Sequence, residues 1–492
     1  MTSTREPAPS PTRGRSAGAF GSVAAHMARQ PGLDYLMIRI IVLALTGLGV
    51  VMVFSSSMTW SALDGATVWG EATRHALMVF VGLLAFWAAL KIPLRWVRAL
   101  APWLMIVTIV LLILVLTPLG VGRESVGSQS WLPIGPVQIQ PSEVARVTFA
   151  IWGASFLAGH RHTATNLRSP FTWYTLVAIL CFGLIIAQGD LGMAMSFGVV
   201  VAFTLIFAGV DWRLVAAALV IAVLGLVAVF IGGGFRAARF HTYFDAFSGN
   251  FQDTQGSAFQ SYQGFLSLAD GSLTGVGLGQ SRAKWFYLPE AKNDFIFAII
   301  GEELGLIGGG LVILLFCLLG VFGLRTALRA QNQFQALLAG TLTIGVVSQA
   351  FINIGYVVGL LPVTGVQLPM ISAGGTAAII TLASMGLLAS VARHEPQCIS
   401  GMQSYGRPLF DRLFFLREPG LEGEKKRPEE RTRKNNERRF GEPVTAVRPR
   451  AEERTAEQRT EARRPGGSVE SDYQPRRPRP TRGGGARRPR RR

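Results

Sequence analysis

The sequence predicts an all-α polytopic membrane protein, and its composition supports this fold class in three ways. Only 16% of the 492 residues are charged, 49% are hydrophobic, and the mean hydropathy is +0.35. Residues 393–492 are strongly polar, with 27 Lys and Arg and 15 Asp and Glu, so they carry +12 of the total charge of +18. The rest of the chain is therefore more apolar than the average. These values exclude a soluble globule and a fibrous repeat, and three scattered cysteines argue against a disulfide-stapled domain.

Ten apolar segments are long enough to span a bilayer as helices. A hydrocarbon core of ~30 Å needs about 20 apolar residues. On this scale we predict spans at 35–55, 75–92, 100–119, 142–158, 171–188, 191–209, 213–233, 295–323, 335–362 and 370–392.

Lysine and arginine in the connections orient these spans. They are concentrated in the N-terminal arm, after the second, fourth, sixth and eighth spans, and in the C-terminal tail. Because cytoplasmic loops carry an excess of these residues, both termini are predicted to be cytoplasmic. We therefore expect a disordered cytoplasmic arm over 1–34, a ten-helix membrane domain over 35–394 and a basic disordered tail over 395–492.

One extracytoplasmic connection, 232–293 between the seventh and eighth spans, is far longer than the others. Loops of this length are usually functional or disordered. This one is rich in aromatic residues, which argues against disorder and predicts short helices lying at the outer membrane surface.

The C-terminal tail has too few apolar residues to fold by itself. It either stays solvated without a specific ligand or binds a negatively charged surface. In the second case we expect anionic lipids of the inner leaflet or an acidic cytoplasmic protein as the partner. No nucleic acid is expected, because no aromatic residues are interleaved with the arginines.

Ionisable residues are concentrated where the long loop returns to the membrane. This segment contains Arg282, Lys284, Glu290, Lys292 and Asp294. Charged groups at a membrane edge are functional candidates. The three basic residues are either interfacial anchors or a site that neutralises a pyrophosphate.

Asp294 has two explanations, which are compatible with each other. It immediately precedes the apolar run 295–300, so it caps that helix or serves as a catalytic carboxylate. A carboxylate at a helix N-terminus can accept a proton from a substrate hydroxyl or bind a divalent cation such as Mg²⁺ or Mn²⁺. Glu302 and Glu303 lie ~12 Å further along the helix. That depth favours a buried polar pair over direct chemistry.

Four motifs occur together in the membrane domain and point to one known family. They are Lys284-x-x-Tyr-Leu-Pro-Glu290-Ala-x-x-Asp294 with its continuation to Gly305, Gln138-Ile-Gln-Pro-Ser-Glu143, Gln188-Gly-Asp190-Leu-Gly192, and the segment Asn353 to Gly375. In this order, over about residues 35–394, the chain closely resembles the SEDS family, the shape, elongation, division and sporulation proteins.

The resemblance implies an inverting peptidoglycan glycosyltransferase that polymerises lipid II on the outer face of the cytoplasmic membrane. A class B penicillin-binding protein is the implied partner, and Asp294 is the implied essential acid. Arg282, Lys284 and Lys292 are the local candidates for the pyrophosphate of the substrate. The segment Gly355 to Gly365 and the basic tail favour the division branch, acting at the septum with other division proteins, including an acidic partner such as FtsZ.

Three other functions remain open at this point. They are an elongation-type polymerase, a lipid II flippase and a non-catalytic scaffold of the division machinery. The position of Asp294 at the outer rim, away from the bilayer midplane, gives the flippase less support.

Five further residues are candidates for contact with the sugar or the pyrophosphate: Glu290, Glu143, Arg146, Asp190 and Ser372. Glu143 and Arg146 are three residues apart on one span. They form either a structural ion pair or a contact with the polar head of the substrate.

Two positions depart from the family pattern. Gly189 replaces a proline and Ala373 replaces a tyrosine. Asp190 and Ser372 are their neighbours, so for these two a role in packing and a role in ligand binding carry equal weight.

Overall fold

The structure, a computed structural model, describes residues 30–63, 69–123, 127–135, 137–160, 169–231, 259–282 and 292–420. Helices α1–α7 span Leu33–Leu63, Gly70–Lys91, Leu94–Leu114, Pro141–Leu157, Pro170–Ala187, Leu191–Phe207 and Trp212–Ile231. Helices α8–α13 span Phe259–Gly271, Ile296–Arg329, Gln333–Val357, Thr376–Arg393, Pro396–Tyr405 and Leu409–Leu413. Strands β1 (Leu132–Ile134) and β2 (Val137–Ile139) form an antiparallel hairpin between α3 and α4.

Ten of these helices, α1–α7 and α9–α11, lie at the ten predicted spans. Within the described ranges, seven are long and apolar enough to cross a membrane: α1 over Leu33–Ser57, α2, α3, α5, α9, α10 and α11. Shorter apolar helices cover Leu191–Phe207 and Trp212–Ile221. The prediction of an all-α polytopic membrane protein is confirmed, while the count of ten spans and their orientation stay predictions. The hairpin is not predicted, because strands of three residues are too short for an alternating pattern to be recognised.

Helices α10 and α11 form the centre of the bundle. Helix α11 packs against α2, and α10 packs against α4, α6 and α9. Most residues of α10 and α11 are buried. By contrast, α3 and α5 expose large apolar side chains such as Trp103 and Ile179, as expected of surfaces that face lipid.

Helix α9 is interrupted at Gly305, whose φ of 67° and ψ of −167° lie outside the helical region. Glycine has no β-carbon and adopts this conformation readily. The segment after α8 pairs with the backbone on both sides of the break. The N–H of Val276 donates to the carbonyl of Glu302, and the N–H of Leu306 donates to the carbonyl of Ser272. Pairing within the protein makes such a break tolerable in a membrane.

Two parts of the long outer loop lie in the described ranges, α8 and the segment 272–282. The predicted helix is therefore present. It packs against α9 and α10, however, so it is an integral part of the bundle as well as a surface element. Residues 232–258 and 283–291 of this loop lie outside the described residues.

The folded domain extends beyond the predicted boundary at residue 394. Helices α12 and α13 lie in the segment that we expected to be disordered. Asp411 is fully buried there and accepts hydrogen bonds from the Tyr35 hydroxyl and from Arg393 Nε, each at 2.8 Å. Trp87 Nε1 also donates to the carbonyl of Phe414 at 3.0 Å. These contacts could not be predicted from the average composition of the tail. The prediction that the tail is disordered also covers residues 421–492, which lie outside the described residues.

A charged cluster joins the start of α1 to the far end of α9. Asp34 is buried and lies 3.2 Å from Arg325 Nε and 3.2 Å from Arg329 Nη1. Glu395 follows α11 and is also buried. Burial, reinforced by the charge of Asp34, raises the pKa of Glu395 to about 8, although the two arginines oppose this shift.

Candidate active site

Asp294 lies in the turn 292–295 that leads into α9. The N-cap residue of α9 is Phe295, and its side chain makes no capping hydrogen bond. The capping position therefore falls on the residue after Asp294. The Asp294 side chain is partly buried, and its Oδ2 would lie 3.5 Å from a β-carbon at Gly365. Its carboxylate thus lies at the positive end of α9, beside the loop that connects α10 to α11.

Two buried side chains of α10 fix the backbone of this turn. Asn353 Nδ2 donates to the carbonyl of Asp294 at 2.9 Å and to that of Val366 at 2.7 Å. The Tyr356 hydroxyl is 2.9 Å and 2.6 Å from the same two carbonyls. The sequence indicates both residues only as members of the motif segment Asn353 to Gly375, without a role in the site. Their spacing of three residues on an apolar helix is the signal that could have identified them as site residues.

Ser372 fixes the turn from the other side. Its Oγ donates to the carbonyl of Asn293 at 2.7 Å and accepts from the N–H of Leu368 at 2.8 Å. The N–H of Ala373 donates to the carbonyl of Lys292 at 3.1 Å. These contacts favour the packing role for Ser372 over the ligand role.

Lys292 is the basic residue of the returning loop that lies in the same turn as Asp294. Its Nζ lies 2.7 Å from both carboxylate oxygens of Glu71 on α2. The two side chains are 27% and 43% exposed, so the pair is open to solvent and to ligands. Lys284 and Glu290 lie outside the described residues.

Arg282 belongs to a different part of the site, next to the break in α9. Its side chain is exposed, and its N–H donates to Glu302 Oε1 at 2.6 Å. Ser281 Oγ donates to Glu302 Oε2 at 2.7 Å, and Ser55 Oγ is 2.7 Å from both oxygens of Glu303. The two glutamates therefore anchor the returning loop to α9 and α1, which supports their interpretation as a buried polar pair.

Glu143 and Arg146 face each other inside the bundle. Arg146 Nη2 lies 3.6 Å from Glu143 Oε2, and both side chains are 2% exposed. Arg146 Nη1 also donates to the carbonyl of Gly345 at 3.0 Å. Gln349 Nε2 contacts Glu143 Oε1 at 3.4 Å and the carbonyl of Gln367 at 3.1 Å. These contacts support the structural ion pair and link it to the loop beside Asp294.

Asp190 is the N-cap residue of α6. Its Oδ1 accepts from the N–H of Met193 at 3.1 Å, and its Oδ2 accepts from Gln140 Nε2 at 2.7 Å and Ser142 Oγ at 3.3 Å. Burial raises the pKa of Asp190, while these hydrogen bonds oppose the shift. Gly189 has a φ of 83°, which proline cannot adopt. The turn before α6 therefore has a backbone conformation that a proline at position 189 would not allow. Asp190 caps α6 in this turn.

A cavity of about 300 Å³ opens next to the turn that carries Asp294. It lies between α2, the β-hairpin and the start of α11, and we call it the hairpin cavity. Among the residues that line it are His75, Trp131, Gln138, Lys292, Asn293 and Gln367. His75 and Glu71 are site residues that the sequence did not single out.

The described residues include no group of three or more His, Cys, Asp or Glu side chains that could hold a metal ion by itself. Among the described residues, Asp294 would therefore hold a divalent cation only together with ligands from elsewhere, such as substrate oxygens. Magnesium is commonly bound in this way, by one or two carboxylates and substrate phosphates.

The fold and the site together define a multi-pass membrane protein with a polar site set into its helix bundle. The family model described as "Cell cycle protein", which covers FtsW, RodA and SpoVE, matches residues 35–397. The chain belongs to this family, the SEDS family.

Individual relatives agree with this assignment. The Mycobacterium tuberculosis protein named "Probable peptidoglycan glycosyltransferase FtsW" is 39% identical over 387 residues, which cover 79% of this chain and 73% of the relative. Stage V sporulation protein E of Bacillus subtilis is 35% identical over 363 residues, which cover 73% and 97%. One solved chain, from "Structural coordination of polymerization and crosslinking by a peptidoglycan synthase complex", has a TM-score of 0.58 and 26% identity and covers 72% and 96%.

Proposed function

We propose that this protein is a peptidoglycan glycosyltransferase of the FtsW type, which polymerises lipid II on the outer face of the cytoplasmic membrane during septal wall synthesis. The observation that carries the proposal is the turn of Asp294, which places a carboxylate at the positive end of α9. Asn353, Tyr356 and Ser372 fix the backbone of that turn. The relatives named FtsW support the division branch over an elongation-type polymerase.

The reaction requires a base and a means of stabilising the leaving group. A sugar hydroxyl of the acceptor attacks the anomeric carbon of the donor, and the bond from that carbon to the pyrophosphate oxygen breaks with inversion. The hydroxyl ionises only far above neutral pH, so Asp294 accepts its proton as the new bond forms. Undecaprenyl pyrophosphate leaves with its negative charge, and Lys292, in the same turn as Asp294, is our candidate for stabilising it.

Other groups contribute to the charge of the site. Arg282 and Lys284 belong to the same returning loop and are further candidates for the pyrophosphate. Mg²⁺ or Mn²⁺, if bound, would be held by Asp294 together with substrate oxygens and would supply additional positive charge to the leaving group.

The partners follow from the same proposal. A class B penicillin-binding protein crosslinks the strands that this protein makes, in agreement with the similarity to a chain of a complex described as coordinating polymerisation and crosslinking. The basic tail binds anionic lipids or an acidic division protein such as FtsZ on the cytoplasmic side.

The test is lipid II polymerisation by the purified protein with its cognate penicillin-binding protein, whose transpeptidase is blocked. Asp294→Ala and Asp294→Asn are compared with wild type, and Asp270→Asn, an exposed carboxylate of α8, is the matched control. We expect glycan chains from wild type and from the control but from neither Asp294 variant, with all complexes assembled. Polymerisation by both Asp294 variants would refute the catalytic assignment. Absence of glycan with wild type would favour flipping or scaffolding.

A further inference from the structure

The hairpin cavity contains buried polar atoms that lack a partner within the described part of the protein. His75 is only 5% exposed, and neither of its ring nitrogens has a hydrogen-bond partner there. The Oε1 of Gln367 is likewise buried and unpartnered. Buried polar groups are nearly always hydrogen-bonded, and each exception calls for an explanation. Both side chains line the same cavity. Their unpartnered atoms expose almost no surface, so a ligand in the cavity would supply the missing partners once these side chains turn towards it.

The chemistry of the lining indicates what the ligand is. Its lining offers neutral hydrogen-bonding groups: the buried imidazole of His75, the half-buried carboxamides of Asn293 and Gln367, and the exposed carboxamide of Gln138. The side chain of Trp131 adds an aromatic surface. Neutral donors and acceptors beside an aromatic ring suit a neutral polar ring with hydroxyl and amide substituents.

The charged groups are arranged differently. Lys292 and Glu71 neutralise each other in a partly exposed pair, and Arg74 is exposed. The charged side chains therefore lie in the partly exposed or exposed part of the lining, and the buried part favours a neutral group. A volume of about 300 Å³ is at the lower end of the range for ligand pockets, so it suits one ring better than a whole glycan.

We propose that the hairpin cavity is a sugar subsite, in which His75 and Gln367 bind one N-acetylated pyranose ring of a lipid-linked substrate. This inference rests on the proposed glycosyltransferase function and adds the group that the cavity recognises. Asn293, in the cavity wall, is adjacent in sequence to Asp294. A ring bound there lies next to the reacting centre, with its pyrophosphate directed towards Lys292 at the rim.

Space in the cavity also depends on a glycine. A β-carbon at Gly374 would lie 2.0 Å from Gln367 Oε1, so any larger residue there would displace the carboxamide. The small residue at 374 therefore preserves the position of one of the two groups that we assign to sugar binding.

The proposal is tested by binding, separately from turnover. The full chain carries Asp294→Asn to prevent reaction and is placed in nanodiscs with its penicillin-binding protein. The probes are fluorescent lipid II and undecaprenyl pyrophosphate, which has the same lipid and pyrophosphate but no sugar. His75→Ala is compared with His75→Gln, whose amide can donate and accept, and with His160→Ala, an exposed histidine outside the cavity.

We expect His75→Ala to weaken lipid II binding about tenfold, the usual effect of losing one or two buried hydrogen bonds. Binding of undecaprenyl pyrophosphate stays unchanged, His75→Gln retains most of the affinity, and His160→Ala matches the parent. Gln367→Met is the second variant, and it gives the same selective loss if His75→Ala does not fold.

Unchanged lipid II affinity in both cavity variants would overturn the sugar subsite. An equal loss for both probes would overturn it too, because the cavity would then bind the anionic group or only support the fold. Either result, obtained while the wild-type chain still polymerises lipid II, leaves the proposed function intact. Failure of wild type to polymerise is a separate outcome that refutes the function itself.

Discussion

The backbone of the Asp294 turn depends on two donors of Asn353, so Asn353→Leu is the sharpest test of how the site is built. The substitution keeps the branched shape of the side chain and removes the hydrogen bonds of Asn353 Nδ2, of 2.9 and 2.7 Å, to the carbonyls of Asp294 and Val366, together with its 2.6 Å contact with the Tyr356 hydroxyl. The Tyr356 hydroxyl lies within reach of both carbonyls but has a single proton. One carbonyl therefore loses its side-chain donors from α10, at a cost of about 1–3 kcal/mol.

The same geometry predicts that the two residues are not independent. Tyr356→Phe alone costs about 1 kcal/mol or less, because Asn353 still donates to both carbonyls. In the double variant both carbonyls lose the donors that α10 supplies. The loss in the double variant therefore exceeds the sum of the single losses by about 1–2 kcal/mol, as is typical of residues in one hydrogen-bond network.

Two assays follow these variants in the purified complex: thermal unfolding and the initial rate of lipid II polymerisation. A turn displaced by about 1 Å lowers the rate about a hundredfold, so Asn353→Leu should polymerise far more slowly while binding undecaprenyl pyrophosphate normally. Wild-type polymerisation by Asn353→Leu, or a double variant whose destabilisation equals the sum of the two single effects, would refute this account of the turn.

Three further predictions concern charge, backbone and pH. Lys292→Gln should weaken lipid II binding because it removes the positive charge, while Glu71→Gln preserves binding. Both variants should fold, because the exposed ion pair adds about 1 kcal/mol or less to stability. Equal binding by both variants would remove Lys292 from the pyrophosphate site. Gly305→Ala should lower the melting temperature markedly, because the new β-carbon would lie 2.4 Å from backbone atoms and the residue would have to keep a φ of 67°. The control Gly310→Ala, in open space on the same helix, should not lower it. Equal melting temperatures for the two variants would contradict the break in α9. Burial raises the pKa of Glu395 to about 8 from 4.5, so its folded form binds a proton that the unfolded chain releases, and stability falls by up to about 1.4 kcal/mol per pH unit as the pH rises from about 4.5 towards 8. Glu395→Gln should flatten the melting temperature between pH 6 and pH 9, and an unchanged slope would assign the effect to another group.

The sequence predicts the membrane helices well because a bilayer imposes one strong rule, that each spanning segment be apolar and about 20 residues long. It predicts poorly where that rule does not apply. The β-hairpin is too short for a periodic signal, and the break at Gly305 depends on a segment distant in sequence. The folding of 396–420 depends on contacts of Asp411 with Tyr35 and Arg393, which composition does not reveal.

The candidate site shows the same division. Asp294 and Lys292 are found from a motif, because the motif is local. Asn353, Tyr356 and His75 act through contacts with backbone or cavity that are made only in the fold. A polar residue on an apolar helix indicates that a position is important, but the sequence does not show which group that residue contacts.

Contacts with the helix bundle fix the described residues on both sides of the segment 283–291. Before residues 283–291, the N–H of Arg282 is bound by Glu302 on the N-terminal side of the break. After them, Lys292 pairs with Glu71, and its carbonyl accepts from the N–H of Ala373. Both ends of the segment that contains Lys284 and Glu290 are therefore fixed to the bundle. The buried carboxylate of Glu302 thus fixes Ser281 and Arg282, the described residues from which the segment leading to Asp294 starts.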